Sequence, residues 1–418
     1  MKSNIKKIMV SFGIGFGIIM QASAQLSPEI TSWIHNNNGA TGYGGILSNV
    51  ELVQYDASNV YVSCTCIPGY SIGPWAGDPN IPSNQNFVFK ITRSPQKNTG
   101  TKTVVGLGQV GVWSNGVAIY NASDGMSYNN DNTWHRNAYY FEGSSFDDCL
   151  GHPDVSGCYH HHVNPKCLYN DSNKTQHSPI IGYAFDGYPI YGAYGYANTN
   201  GTGGIKRMTS SYQLRTNMVN RDTLPNGTIV SLANEGPVVS GTYPLGDFME
   251  DYKYVAGSGD LDTNNGRFCV TPDYPSGTYA YFVTIDSTYT PVYPYVLGLT
   301  YYGIVQTGNT APSGGHNTPS DSTTIYTSVD NIVRRNQINV TLEPNPVTDY
   351  AYFYIDPSSD NNITGALYDI NGKVLKTYQN LQPSMSYSIN FTSYPTGIYF
   401  LRLQTSNAVF SKKIVKVQ

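Results

Sequence analysis

The chain is short of charge. Only 12% of its residues are Asp, Glu, Lys or Arg, and acids outnumber bases, 28 against 24. Without a basic excess the chain lacks the charge that phosphate binding calls for, which argues against nucleic acid as a partner. Helical periodicity is missing over any long stretch, and past residue 20 no apolar run could cross a bilayer. In place of charge there are 36 Tyr and 42 Gly, with Asn, Thr and Ser between them. That mixture favours strands and turns, so the expected fold class is mainly β.

The two ends carry the sorting information. Lys2, Lys6 and Lys7 precede an apolar run over 8–20, and Ala22, Ser23 and Ala24 follow it. This is the pattern of a signal peptide, expected over 1–24, with the mature chain starting at Gln25 and holding no transmembrane helix. Three basic residues and no acid leave with it, so the mature chain is more acidic than the −4 of the full sequence. Mild acidity suits a soluble exported protein.

From about residue 339 the texture changes to short alternating stretches at 340–342, 351–355, 363–368, 373–378, 386–391, 398–404 and 408–417. Turn signals separate them, among them Pro344-Asn345-Pro346, Asn371-Gly372 and Pro395-Thr396-Gly397. Seven short strands over this length predict a small seven-stranded β-sandwich. Asn345, Pro346, Asn371, Gly372, Gly397, Lys412 and Lys413 stand in an order that resembles the C-terminal sorting domain of type IX secretion cargo. The resemblance places that domain over 335–418. It implies the type IX machinery and the outer-membrane surface as partners, and a protein secreted or attached to the bacterial cell surface. Ahead of it, 306–334 begins with Thr, Gly, Ser, Asn and Pro and is expected to be a linker.

The passenger, 25–305, holds all six cysteines: Cys64, Cys66, Cys149, Cys158, Cys167 and Cys269. Export makes each a disulfide candidate, and spacing does not choose among the connectivities. Cys149, Cys158 and Cys167 bracket the most informative stretch, where His152, His160, His161 and His162 supply four of the eight histidines. Residues 153–157 read as a turn between two short strands. Alternate strand residues share a face, so His160 and His162 project together and His161 points away. A hairpin pairing His152 with Cys158 would add His152 and Asp148 to that face. Three imidazoles with a carboxylate suit a transition metal, zinc or copper first.

Residues 148–152 with Gly157-Cys158-Tyr159-His160-His161-His162 resemble the signature of YHYH-domain proteins. Asn115-Gly116-Val117, the run 184–192 and Tyr293-Pro294-Tyr295 resemble the same family, over roughly 63–303. Its core reads Tyr-His-Tyr-His, and His161 departs from it at the third position. The resemblance carries no settled activity; composition and export give the expectation of a β-rich, disulfide-braced domain. Residues 276–283 echo 156–163, with Ala280, Tyr281 and Phe282 where the first copy has three histidines, which suggests two equivalent hairpins.

Lesser signals remain. Residues 260–266 space oxygen ligands like a calcium loop, though a turn at Asn265-Gly266 also explains them. Asp186 is a candidate to orient a ligand histidine. Gly69-Tyr70-Ser71-Ile72-Gly73 matches a nucleophile elbow but is followed by Pro74 and Pro79, which exclude the helix that motif needs. No nucleophile or general-base pair accompanies the histidines, so no catalytic residue is assigned and metal binding is favoured over catalysis. A metal-dependent extracellular enzyme and a glycan-binding module with structural histidines stay open as alternatives.

Overall fold

The computed structural model describes residues 26–310, 313–327, 340–355, 363–382, 384–404 and 409–418. The expected signal peptide lies outside them. Nineteen strands carry the main sheets. In chain order they are β1 (Val50–Tyr55), β2 (Asn59–Cys64), β3 (Phe87–Thr92), β4 (Gln109–Trp113), β5 (Ala118–Tyr120), β6 (His152–Pro153), β7 (Tyr159–His161), β8 (Ile180–Ala184), β9 (Pro189–Tyr191), β10 (Gly266–Cys269), β11 (Thr278–Phe282), β12 (Thr324–Ile325), β13 (Val340–Glu343), β14 (Tyr350–Ile355), β15 (Ile363–Asp369), β16 (Val374–Leu381), β17 (Ser386–Asn390), β18 (Gly397–Gln404) and β19 (Val409–Lys416). The helices Pro28–Thr31 and Ala138–Phe141 are one turn each. Among the described residues no helix is long and apolar enough to cross a membrane.

Strands β4–β11 form one eight-stranded sheet in the order β10-β11-β9-β8-β4-β5-β7-β6. The order is a palindrome: β4–β7 make one half and β8–β11 repeat it. Each half begins with an antiparallel hairpin, β4–β5 or β8–β9. Each adds a second hairpin whose later strand runs parallel to the first, β7 beside β5 and β11 beside β9. The halves meet where β4 and β8 pair antiparallel. Both strands are buried along their whole length, as central strands covered on two faces must be. Glycine makes the join possible, since a Cβ on Gly111 or on Gly182 would each lie 2.7 Å from a carbonyl oxygen of the other strand. The sequences run in register without a gap over 110–122 and 181–193, and the hairpin turns match at Gly116 (φ 83°) and Gly187 (φ 87°).

A four-stranded sheet, β12-β1-β2-β3, covers one face. Val53, Val60, Val62, Phe89 and Ile91 from it pack with Val112, Ala118, Tyr183 and Phe282 from the larger sheet. The opposite face is covered mainly by chain without strand structure, where Tyr293, Tyr295, Leu297 and Tyr301 close over Val110, Trp113, Ile119 and Tyr281. The expected linker departs from expectation over its described first part. Asn309 is fully buried and its side chain bonds both backbone groups of Lys90, while β12 pairs with β1 and the Tyr326 amide donates to Val53. Its polar side chains satisfy backbone groups of the passenger, so it packs without an apolar core of its own.

The C-terminal domain is the expected seven-stranded sandwich. A three-stranded sheet, β13-β14-β17, faces a four-stranded one, β16-β15-β18-β19, over Phe353, Leu367, Ile389, Leu401 and Ile414. The sorting residues have structural roles here. Asn345, ahead of Pro346, donates from Nδ2 to the Lys413 carbonyl and accepts the Val415 amide, which ties the first loop to β19. Asn371 and Gly372 form the β15–β16 turn, with Gly372 at φ 80° and Asp369 accepting the Asn371 and Lys373 amides. Gly397 opens β18, and Lys412 and Lys413 pair with Leu401 and Phe400.

Candidate metal centre

The centre sits at the edge of the large sheet, on the β6–β7 hairpin. Asp154 closes that hairpin: its amide bonds the Cys158 carbonyl, its carboxylate accepts the Ser156 and Cys158 amides, and Gly157 turns at φ 79°. The three-residue loop this leaves sets the register at His152↔His160 and Pro153↔Tyr159. The expected pairing of His152 with Cys158 is therefore wrong by two positions. A slip of two keeps every side chain on its face, so His152, His160 and His162 still converge. Asp148 does not join them; it is exposed. The carboxylate comes instead from Glu142, just after the helix Ala138–Phe141, whose Asn137 cap accepts the Tyr139 amide.

One ligand atom from each of Glu142, His152, His160 and His162 lies within 4.8 Å of all the others. Glu142 Oε2 is 3.2 Å from His152 Nε2 and 3.1 Å from His162 Nε2, and the Nε2 atoms of His160 and His162 are 3.0 Å apart. The opposite nitrogens fix the tautomers. His160 Nδ1 donates to the Cys158 carbonyl at 2.9 Å and His162 Nδ1 to the Asn121 carbonyl at 2.6 Å. A carbonyl only accepts, so both Nδ1 atoms carry the proton. His152 Nδ1 lies 2.8 Å from Ser145 Oγ, whose own hydrogen goes to the Glu142 carbonyl, with Asp78 Oδ2 at 3.6 Å. The hydroxyl thus accepts, and His152 is protonated at Nδ1 as well. In neutral imidazoles all three Nε2 lone pairs then face one another and a carboxylate oxygen.

Burial, then the neighbouring His162 and His152, push His160 well below the usual imidazole range. Burial raises the Glu142 carboxyl; with Nε2 of His152 and His162 protonated, their hydrogen bonds and charge outweigh burial and hold it below the ordinary carboxylate range, so a cation at this point would compete with protons for the same lone pairs. Burial and the Glu142 carboxylate push nearby Asp124 up to about 6. Tyr120 stacks on His160 with ring centroids 3.8 Å apart, and Phe146 packs edge-on to His152. The four groups line a cavity of about 840 Å³ whose wall also includes Asp78, Tyr120 and the exposed Leu107 and Val155.

Other expected site residues lie elsewhere. Asp186 belongs to the second half of the sheet, where it accepts from the Tyr281 hydroxyl and the Gly303 amide. It orients no ligand histidine. In the calcium-like loop Asp260 pairs with Lys206 and Thr209, and Asp262 accepts from Tyr279, Asn264 and Gly266. Those oxygens are committed to donors rather than gathered about a point. Of the cysteines, Cys149 and Cys167 form a disulfide that spans the histidine stretch. Cys64, Cys66, Cys158 and Cys269 are buried thiols. Cys64 donates to the Gly116 carbonyl, while the Cys66 and Cys158 sulfurs lie 3.7 Å apart. The elbow-like stretch at Ser71 is loop, without a helix.

Residues 88–294 match the family described as YHYH protein, and residues 342–417 match the secretion system C-terminal sorting domain. No curated protein is similar to the chain. A solved DUF3244 family protein with an immunoglobulin-like β-sandwich fold, from Bacteroides vulgatus, is 15% identical over 19% of this chain and 96% of its own, with a TM-score of 0.16. The sorting domain places the protein among those secreted to the outer surface through the type IX machinery. The chain is a YHYH-domain protein that ends in a type IX secretion sorting domain.

Proposed function

We propose that the exported passenger binds one transition metal ion through Nε2 of His152, His160 and His162 and the Glu142 carboxylate. The observation that carries this reading is the tautomer set. Three nitrogen lone pairs and an anionic oxygen directed at one point repel each other, and a cation among them turns that repulsion into bonding. The spacing suits it: tetrahedral ligands at zinc-like bond lengths stand about 3.3 Å apart. The hydrogen bonds from each Nδ1 hold the rings in the orientation that metal-bound histidines use. Neutral imidazole with one carboxylate fits zinc or copper, with iron and manganese as further candidates.

A metal-dependent enzyme is the second reading. The 840 Å³ cavity over the centre favours it, because a purely structural ion needs no such space.

Metal content by mass spectrometry tests the first reading, on the full exported chain beside His160→Ala/His162→Ala. The expected result is close to one ion per wild-type chain and none in the variant, with circular dichroism unchanged. An apo wild type after incubation with zinc, copper, iron and manganese would overturn the reading. Turnover that follows metal loading would establish the second.

A further inference from the structure

A second cavity, of about 780 Å³, opens at the turn end of the β4–β5 hairpin. It is lined by Trp33, His35, Tyr70, Ser114, Asn115 and His177, with a wall from the 167–178 segment that the Cys149–Cys167 disulfide secures. Not one Asp, Glu, Lys or Arg is in its lining. Burial lowers His35 to about 4 and also lowers His177, so both rings are neutral at ordinary pH. The site offers no charge to an anion or a cation.

What it does offer is hydrogen-bonding capacity left over. His35 Nε2, Tyr70 Oη, Asn115 Nδ2 and His177 Nε2 are all buried; the two imidazole nitrogens have no hydrogen-bond partner among the described residues, and Tyr70 and Asn115 face only each other, without good geometry. Asn115 is itself only 1% exposed. Native interiors leave few such atoms, and four residues that carry them line this one cavity, which calls for a partner. The other half of the sheet shows what a closed version looks like. There Asp186 stands where Asn115 does and is satisfied by Tyr281 and Gly303.

The leftover set mixes groups that donate with groups that do both. An amide N–H donates, and a phenol and a neutral imidazole each can donate or accept. Hydroxyls match that mixture because each is donor and acceptor at once. Trp33, Tyr70 and Tyr169 add apolar ring surface beside it. We propose that this cavity is a second binding site, one that takes a neutral polyhydroxylated ligand, a single sugar ring in size. The inference is independent of the metal reading, since no ligand of the metal centre lines this cavity.

Saturation-transfer difference NMR on the full exported chain tests it. The probes are the methyl glycosides of glucose, galactose, mannose and N-acetylglucosamine, with glucuronate as the charged comparison. Two variants accompany the wild type, Tyr70→Phe, which removes only the hydroxyl, and Gln176→Ala at the exposed rim. The expected result is saturable transfer to at least one neutral glycoside, weakened about tenfold in Tyr70→Phe, the loss of one hydrogen bond. Unfolding temperatures of both variants should stay with wild type. No transfer to any neutral glycoside, transfer to glucuronate alone, or transfer equal in wild type and both variants would overturn the proposal.

Discussion

The two halves of the large sheet share a backbone and differ in what they hold. Both build their outer hairpin on the same frame. Asp147 accepts the Tyr159 hydroxyl and the Cys149 and Gly151 amides, and Asp262 accepts the Tyr279 hydroxyl and the Asn264 and Gly266 amides. Leu150 and Asn265 both turn at positive φ, 66° and 63°. On that common frame His152, His160 and His162 stand where Arg267, Ala280 and Phe282 stand in the other half. The first half gathers lone pairs. In the second, Arg267 reaches the Tyr196 and Ala197 carbonyls and its guanidinium lies over the Phe282 ring. The frame alone therefore does not make a site. Three histidine positions, and the Glu142 turn that meets them, make the difference between the halves.

Substitutions at matched positions break the comparison most sharply. His162→Ala should abolish metal retention, measured by mass spectrometry, with a small change in unfolding temperature. Phe282→Ala, its counterpart, should cost about 3–5 kcal/mol in denaturant unfolding, the usual loss for a buried aromatic, and leave metal content unchanged. If Phe282→Ala also removed metal, the halves would be one functional unit.

A pH experiment comes next in size. Burial, outweighing the bonds from Tyr281 and Gly303, raises the Asp186 carboxyl to about 6. Its folded value is above its unfolded one, so the folded chain binds more protons between roughly pH 4 and 6 and stability falls as pH rises through that window. The total is up to ~3 kcal/mol. Asp186→Asn, which installs the residue the first half has at Asn115, should flatten that slope in urea titrations across the window. A slope unchanged by the substitution would assign it to other groups.

The finest comparison is at the shared aspartates. Asp147→Ala and Asp262→Ala should each cost about 1–3 kcal/mol, because a buried tyrosine hydroxyl and turn amides lose their acceptor. Only Asp147→Ala should also weaken metal, by about tenfold or more in competition titration, since Gly151 leads directly into His152. Equal metal affinity in both variants would show that the frame does not orient the ligands.

Much of this was legible before any coordinates. In the sorting domain β14 and most of β18 alternate buried residues with more exposed ones, so a period of two marks them. The same period brought His152, His160 and His162 to one face despite a register off by two. Glu142 was not legible, because it arrives from a separate turn ten positions upstream of His152 and no spacing rule links a helix end to a strand across a fold. Asp148 misled because it adjoins the cluster in sequence, while Asp147 beside it turned inward to cap the hairpin frame. The repeat of 110–122 in 181–193 hid behind substitutions such as Trp113 for Ala184, and only pairing at Gly111 and Gly182 exposed it. The segment after residue 305 misled through composition: polar side chains that bond a neighbour's backbone look the same in sequence as those that bond water.

That segment has a consequence for maturation. β12 covers the outer edge of β1, and beyond it Tyr326 still bonds Val53. A protease that released the sorting domain by cutting ahead of β12 would uncover an edge ready to pair with another chain. A cut after Tyr326 would leave that edge sealed. Were the sorting domain removed by proteolysis, the position of the cut would decide whether the edge of β1 at Gln54 and Tyr55 stays covered.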